Sequence, residues 1–216
     1  MAAKPAGEAK DTAFHNKRTI KDFRSRLTGG GARSNLFEVK ITFPDYIGKE
    51  DEATLTDQVP FLVKAAEIPA SNLGNIPVPF RGRVLPVAGD RTFDPWTVTI
   101  INDTNFKIRN AMERWSNGIN DLQSSQGFIN PEIYQQSATV TQLNRGFNAT
   151  KAPASTVESD DKAIEVLRTY KFEGIYPNVV SSIPLDYGAT DQIEEFQVTF
   201  NYLFYEVTPF GGTGAF

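Results

Sequence analysis

The stretch EFQVTFNYLF, residues 195–204, is the most regular part of this 216-residue sequence. Large apolar side chains occupy every second position from Phe196 to Phe204, and smaller polar side chains lie between them up to Asn201. A period of two is typical of a β-strand with one face on a core and the other in water. We therefore predict a strand here whose outer face carries Glu195, Gln197 and Thr199.

Similar patterns along the chain predict further strands. Phe37 to Phe43 and Trp96 to Ile101 alternate clearly, and shorter extended runs are predicted at residues 61–68, 76–80, 81–87, 138–143 and 164–172. Prolines 77 and 79 favour an edge strand or a bulged strand for residues 76–80, because proline cannot donate to a ladder. Breaks are expected at Ala88-Gly89-Asp90, at Gly174 and at Pro177. Residues 44–59 are expected to form a polar, acidic connection.

One helix is predicted in the body of the protein, at about residues 104–118. Asp103, Thr104 and Asn105 are candidate N-caps. The apolar residues that follow recur at helical spacing and form one stripe: Ile108, Ala111, Met112, Trp115 and Ile119. A single amphipathic helix must cover its apolar face against a sheet. The sequence therefore predicts a mainly β fold, an antiparallel β-sandwich or small barrel with one flanking α-helix.

Charge divides the chain into a basic arm and an acidic body. Residues 1–34 carry eight Lys or Arg against three acids, whereas residues 35–216 carry 14 against 23. We expect a basic N-terminal arm (1–34) with a short helix between Thr12 and Leu27, a β domain (35–206) and a glycine-rich tail (207–216). Ile20, Phe23 and Leu27 share one helix face, which is expected to dock on its own body or a neighbour. A membrane-surface or nucleic-acid arm is the alternative.

The composition leaves few groups for catalysis or metal binding. There is no cysteine and one histidine, His15, which lies in the arm. Disulfides, thiolate metal sites and cysteine nucleophiles are thereby excluded. The neighbouring carboxylates Glu194 and Glu195 point to opposite faces of a regular strand and cannot chelate one ion together. We predict no enzyme activity and no cofactor; a hydrolase that uses surface carboxylates is the weakest alternative.

The charge of the body also bears on its partners. A nucleic-acid-binding domain keeps Lys and Arg on the face that meets phosphate, whereas residues 35–216 carry a net charge of −9. The sequence has no apolar run of membrane-spanning length, and its first ten residues are polar. We therefore expect synthesis in a cytoplasm, no membrane insertion and no specific binding to DNA.

Four segments are more distinctive than their composition. They are ARSNLFEV (32–39), IPVPF (76–80), VAGDRTFDPWTVT (87–99) and EEFQVT (194–199). In this order, over most of residues 32 to 206, they resemble the major tail tube proteins of T-even-like contractile-tailed bacteriophages. That family is similar in fold to the tube proteins of type VI secretion systems.

The resemblance implies a structural role in the virion tail. It implies that six copies form a ring, that rings stack into a hollow tube in the host cytoplasm, and that double-stranded DNA leaves through it without specific binding. If each copy lends four strands to one wall, the barrel has about 24 and encloses a water-filled channel. The implied partners are the sheath, tape measure, baseplate and tail terminator proteins. A baseplate tube initiator, a tube protein of another contractile injection system and a DNA-binding accessory protein are the alternatives.

Three sets of residues are candidates for assembly in such a tube. Polar strand faces, on whichever sheet faces inward, supply candidate lumen residues: Glu38, Lys40, Glu195, Gln197 and Thr199. The region around the predicted hairpin supplies candidate subunit contacts: Arg81, Arg83, Asp90, Arg91 and Asp94. A turn with a local ion pair is the alternative for the last three. The apolar face of the arm helix, Ile20, Phe23 and Leu27, is expected to pack on a neighbouring subunit or on the sheath side.

Overall fold

The computed structural model describes residues 19–27, 30–145 and 166–209. Within them the helices are α1 (Ile20–Arg26), α2 (Lys49–Leu62), α3 (Lys107–Ile119) and α4 (Pro131–Tyr134), with a 3-10 helix at Asp45–Ile47. The strands are β1 (Phe37–Ile41), β2 (Val63–Ala66), β3 (Asn72–Phe80), β4 (Arg83–Thr92), β5 (Trp96–Ile101), β6 (Gln136–Leu143), β7 (Val166–Val180), β8 (Glu195–Asn201) and β9 (Phe204–Pro209).

Seven of these strands form one antiparallel sheet, organised around the long strand β7. The first part of β7 pairs with β6 and β9, and β6 in turn pairs with β1; we call these four strands the first layer. The end of β7 pairs with β8, which pairs with β5, which pairs with β2; these four are the second layer. Strands β3 and β4 form a separate two-stranded hairpin.

The core lies between the two layers. Its members are apolar side chains from the inner positions of both layers, and Trp96 of the second layer lies against Phe172 of the first. The fully buried strand residues include Val39, Ile41, Phe172, Phe196, Val198 and Phe200. Burial of such side chains contributes roughly 1.5–3 kcal/mol each. The β-sandwich predicted from alternation is therefore observed.

Helices α2 and α3 pack against the strands of the sandwich. Ile108, Ala111, Met112 and Trp115 of α3 are buried, as the predicted stripe requires, and the ring of Trp115 lies 5.8 Å from that of Phe43. Helix α2 packs on β1 and adds Leu55 and Val59 to the core. No helix in the described ranges is both long and apolar enough to cross a membrane.

A polar anchor joins α3 to the segment after β1. The Tyr46 hydroxyl donates to the carbonyl oxygen of Trp115 at 2.8 Å, and the Trp115 indole Nε1 donates to the carbonyl of Tyr134 at 2.8 Å. Burial raises the pKa of the Tyr46 phenol far above its ordinary value, so the hydroxyl keeps its proton. Among the predicted caps of α3, Asp103 accepts the backbone N–H of Lys107 at 3.0 Å, while Phe106 is the N-cap residue, in a left-handed conformation.

Three local predictions in the first half of the chain were wrong. Residues 44–59 were expected to be a connection, and most of them belong to the 3-10 helix and to α2. The predicted strand at 61–68 is shorter, because Phe61 and Leu62 finish α2. A break was expected at Ala88, Gly89 and Asp90, but these residues lie within β4. The register shifts between the pairs Leu73–Arg91 and Asn75–Ala88, and this β-bulge accommodates Gly74 and Gly89.

The strand predicted to end near Gly174 instead runs to Val180. Gly174 adopts a positive φ of 67°, a conformation open to glycine at low cost, and the chain bends there without leaving the ladder. The inward alternation predicted for residues 196–204 holds through Tyr202 and then changes phase. Phe204 is therefore exposed, and Tyr205 takes the inward position.

Candidate assembly surfaces

The β3–β4 hairpin projects from the body with almost every residue exposed. Its two-residue turn, Arg81-Gly82, has positive φ at both positions, as the tightest hairpin turns require. The register places Ile76 opposite Val87, Val78 opposite Leu85, and Phe80 opposite Arg83. Directly opposed residues share a face, so one face carries five solvent-exposed apolar side chains: Ile76, Val78, Phe80, Leu85 and Val87. We call these five residues the hairpin face.

The base of the hairpin is fixed to the body by polar bonds. The guanidinium of Arg91 donates to the Ser71 hydroxyl at 2.7 Å, and the Asn72 amide donates to the Asp94 carboxylate. The ring of Phe93 lies 5.6 Å from that of Tyr202. Two of the predicted contact residues, Arg91 and Asp94, therefore hold the hairpin within its own chain.

The other predicted contact residues lie along the hairpin itself. Arg81 is in the turn, with its guanidinium 5.4 Å from the centre of the Phe80 ring, and Arg83 is directly opposite Phe80. Asp90 is exposed in β4. The described salt bridges do not include one between Asp90, Arg91 and Asp94, which leaves the local ion pair without support. The apolar residues of the hairpin face were missed, although their alternation with proline was visible in the sequence.

The outer face of the first layer is mostly polar on all four strands, and Phe204, opposite Glu173 on β9, is an exposed apolar exception. One row consists of Glu38, Thr141, Thr169 and Thr208, and the next consists of Lys40, Thr139, Lys171 and Glu206. Both lysines bind a glutamate on their own strand: Lys40 Nζ lies 3.1 Å from Glu38, and Lys171 Nζ lies 2.5 Å from Glu173. The hydrogen bond to Glu173, and then the charge of that carboxylate, raise the pKa of Lys171, so it remains protonated at neutral pH.

The outer face of the second layer holds the remaining candidate lumen residues. Glu195 forms a salt bridge of 2.6 Å with Lys64, and the hydroxyls of Thr199 and Thr97 are 3.2 Å apart. Gln197 lies between them on β8 and is exposed. The five candidate lumen residues are thus on opposite sides of the sandwich, with Glu38 and Lys40 on one side and these three on the other.

The arm helix α1 presents its apolar face to solvent. A capping box fixes its start, with the Thr19 hydroxyl accepting the N–H of Asp22 at 3.3 Å and the Asp22 carboxylate accepting the N–H of Thr19 at 3.3 Å. Ile20 is 85% exposed and Phe23 is 66% exposed, and α1 has no buried residue. Leu27 at the C-cap is also exposed.

The described residues contain no group of three or more His, Cys, Asp or Glu side chains placed to hold a metal ion. His15 lies outside the described residues. The surfaces described above are apolar or mixed-charge strand faces, which suit protein contacts better than chemistry.

Comparison with known proteins agrees with this structure. The sequence model of the family described as phage tail tube protein matches residues 32–208. The chain is 30% identical to the tail tube protein of Serratia phage KSP90 over 186 residues, which are 85% of this chain and 94% of that protein. It is 34% identical to tail tube protein gp19 of Enterobacteria phage T4 over 180 residues, which are 82% of this chain and 91% of that protein.

Solved structures share the fold at low sequence identity. A chain of the anti-feeding prophage tube-terminating cap aligns with a TM-score of 0.52 and 15% identity, over 83% of this chain and 91% of that chain. A chain of the anti-feeding prophage baseplate aligns with a TM-score of 0.53 and 13% identity, over 83% and 96%. The predicted fold class is confirmed. Because the family match spans most of the sequence, the chain belongs to the phage tail tube protein family and is a structural subunit of the virion tail.

Proposed function

We propose that six copies of this chain form a ring, that rings stack into a hollow tube, and that the first layer of each copy lines the channel through which double-stranded DNA leaves. Family membership supplies the structural role. The observation that carries the proposal is the first layer itself, because its two edge strands are regular and unpaired on their outer side among the described residues, and its outer face is mostly polar.

The edges of the two layers differ in their ability to pair with another copy. Edge strands β1 and β9 pair with their inner neighbours without any register shift. In the second layer, the ladders of both edge strands are shifted: that of β2 between Val63 and Ala65, and that of β7 between Pro177 and Val179. Bulges and proline at an edge obstruct the addition of a further strand. The first layer is therefore the one that a neighbouring copy extends.

Strand direction permits this extension to continue around a ring. The order β1-β6-β7-β9 is antiparallel throughout, so β1 and β9 run in opposite directions. A neighbour's β1 placed beside β9 continues the antiparallel pattern, and every junction is identical. Six copies supply about 24 strands, more than the 16 to 18 that already leave an aqueous channel.

The outer face of the first layer suits a conduit for DNA. Its described positions carry no arginine, and its two lysines, Lys40 and Lys171, are each bound to a glutamate. Phosphate binding requires unpaired cations along the path of the backbone. Glu38 and Lys40 therefore line the channel in this arrangement, while Glu195, Gln197 and Thr199 lie on the side of the subunit that faces away from it.

The hairpin face supplies a second contact between copies. Five apolar side chains on one exposed two-stranded sheet need a partner surface, since an isolated hairpin is only marginally stable in water. We place this face against a neighbouring subunit. The sheath, tape measure, baseplate and tail terminator proteins are the further partners that a tail tube requires.

Electron microscopy and cross-linking test the proposal. Purified protein, alone or with a baseplate seed, is expected to form rings or rods with a central channel, and a strictly monomeric species under all seeding conditions contradicts the proposal.

The chain has no cysteine, so two single-cysteine variants, Lys40→Cys and Glu206→Cys, can be mixed and treated with a short bismaleimide. Cross-linked dimers are expected across the β1–β9 junction. The control pair, Ala65→Cys with Val179→Cys, lies on the edges of the second layer, and cross-linking of that pair alone would assign the channel to the second layer.

A further inference from the structure

Helix α1 is a formed element that buries no side chain against the other described residues of its chain. Its capping box fixes the first turn, and its apolar residues Ile20, Phe23 and Leu27 are exposed. Arg24 and Arg26 lie in its last turn, and Lys21 adds a third cation against the single acid Asp22. The family model matches from residue 32 onward, so α1 lies outside the segment that the model matches. A cationic and apolar helix of this kind fits a surface that is acidic and apolar.

The segment between β7 and β8, together with the first residue of β8, is both acidic and apolar. Residues 181–195, which we call the acidic loop, contain four acids and no Lys or Arg: Asp186, Asp191, Glu194 and Glu195. Leu185 is 83% exposed, Ile193 is 71% exposed, and Tyr187 is fully exposed. Glu195 is bound to Lys64, but the described salt bridges do not include Asp186 or Asp191. The loop thus offers carboxylates beside exposed apolar side chains, although that of Asp186 also accepts the backbone N–H of Gly188 at 2.9 Å.

The arm and the acidic loop leave the subunit at opposite ends of β7. The arm enters β1 at Phe37, which shares a row with Gln142 and Arg168 near the start of β7. Gln142 holds the base of the arm by donating to the carbonyl of Arg33 at 2.6 Å. The acidic loop follows Val180 at the other end of β7; the path along the strand from Arg168 is roughly 40 Å at about 3.3 Å per residue, and the bend at Gly174 makes the direct distance shorter. If β7 runs broadly along the tube axis, stacking in one direction brings the arm of one copy towards the acidic loop of the next.

We propose that α1 docks on the acidic loop of a second copy in the adjacent ring, with Phe23 against Leu185 and Ile193, and with Arg24 and Arg26 facing Asp186 and Asp191. This inference rests on the stacked tube proposed above. The contact joins two different surfaces and so repeats without limit along the tube axis, as a head-to-tail interface does. It also accounts for the opposite charges of the arm and the body.

Cross-linking in assembled tubes tests the contact directly. Variants Phe23→Cys and Leu185→Cys are mixed before assembly and treated with a short bismaleimide. A heterodimer that contains one copy of each variant is expected only in the tube fraction. The control mixture, Phe23→Cys with Leu122→Cys, uses a leucine of similar exposure outside the acidic loop.

Tubes without the 23–185 heterodimer overturn the arm contact but leave the tube proposal standing. Failure of every variant and of the parent to form tubes overturns the tube proposal itself. A 23–185 cross-link within one chain of the double variant, in monomers, would place the helix on its own body and refute the proposal.

A charge exchange tests the electrostatic part. Either Arg24→Glu with Arg26→Glu, or Asp186→Arg with Asp191→Arg, is expected to reduce the yield of sedimentable tubes about tenfold, because like charges then face each other. All four substitutions in one chain restore opposite charges and are expected to recover the yield to within about threefold of the parent. The control, Glu67→Arg with Glu132→Arg, adds the same positive charge as the Asp186→Arg and Asp191→Arg pair but outside both segments, and should leave the yield unchanged. Failure of the fourfold variant to recover, or an equal loss in the control, overturns the proposed pairing.

Discussion

The indole of Trp96 stacks on the ring of Phe172, with the ring centres 4.5 Å apart and the planes 19° from parallel. Trp96 begins β5 in the second layer, and Phe172 lies on β7 in the first, so this contact joins the two layers across the core. Both side chains are buried. The stack therefore connects the layer that we assign to the channel with the layer that supports it.

Loss of this stack is expected to destabilise the monomer. Phe172→Ala removes a fully buried ring and should lower the free energy of unfolding by about 3–5 kcal/mol. Urea denaturation followed by tryptophan fluorescence measures the change. Ile76→Ala removes an apolar side chain from the exposed hairpin and should change the same quantity by less than about 0.5 kcal/mol. Equal effects from the two variants would contradict the assigned core.

The bend of β7 requires glycine at position 174. A Cβ there would lie 2.7 Å from Cδ1 and Cγ of Leu203, and φ is 67°. We expect Gly174→Ala to cost about 1–3 kcal/mol of unfolding free energy from strain and crowding. Gly82→Ala is the control, because Gly82 has a similar φ of 81° with nothing near its Cβ position. The loss at 174 should exceed that at 82, and Leu203→Ala should reduce the difference by removing the crowding atoms.

The two faces of the hairpin are expected to differ in assembly. Leu85→Ser places a hydroxyl in the hairpin face, whereas Val84→Ser changes the opposite face of the same strand at nearly the same exposure, 60% against 63%. Both variants should unfold at the same urea concentration as the parent. Only Leu85→Ser should reduce tube formation, measured by sedimentation and negative-stain microscopy. Equal assembly of the two variants would remove the hairpin face from the interface.

The identity of the channel wall can be tested by adding cations. Thr139→Lys with Thr141→Lys places two unpaired lysines on the outer face of the first layer, which become 12 in a ring of six. Preformed tubes should then retain short double-stranded DNA at low salt and release it as salt rises. Thr97→Lys with Thr199→Lys places the same charges on the second layer and should retain DNA only at the outer tube surface, where nuclease can reach it. Protected DNA with the second pair alone would reverse the assignment.

Strand faces were predictable where one side chain in two had to be apolar. Phe196, Val198 and Phe200 are buried as their alternation indicates, because a half-buried strand leaves no other arrangement. Helix α2 was missed since its inward residues Leu55 and Val59 are few beside the acids around them. Propensity is a weak guide when packing against β1 decides the conformation.

Glycine and proline were poor guides to where strands end. Gly174 and Pro177 suggested the end of a strand, yet β7 continues because glycine supplies the bend and a bulge accommodates the proline. Charged residues near the hairpin suggested subunit contacts, but Arg91 and Asp94 bond to Ser71 and Asn72 of the same chain. Such partners are 20 or more residues away in the sequence, and only the folded chain brings them together.

The passage of β7 through both layers also determines how a subunit bears mechanical load. β7 is paired along its length first with β9 and then with β8, in ladders on either side of the bend. A force that pulls one layer past the other must slide β7 against both strands and break many hydrogen bonds at the same time. Peeling, in which bonds fail one after another, requires a force directed across the strands. A tube built from such subunits resists shear between its wall and its outer shell.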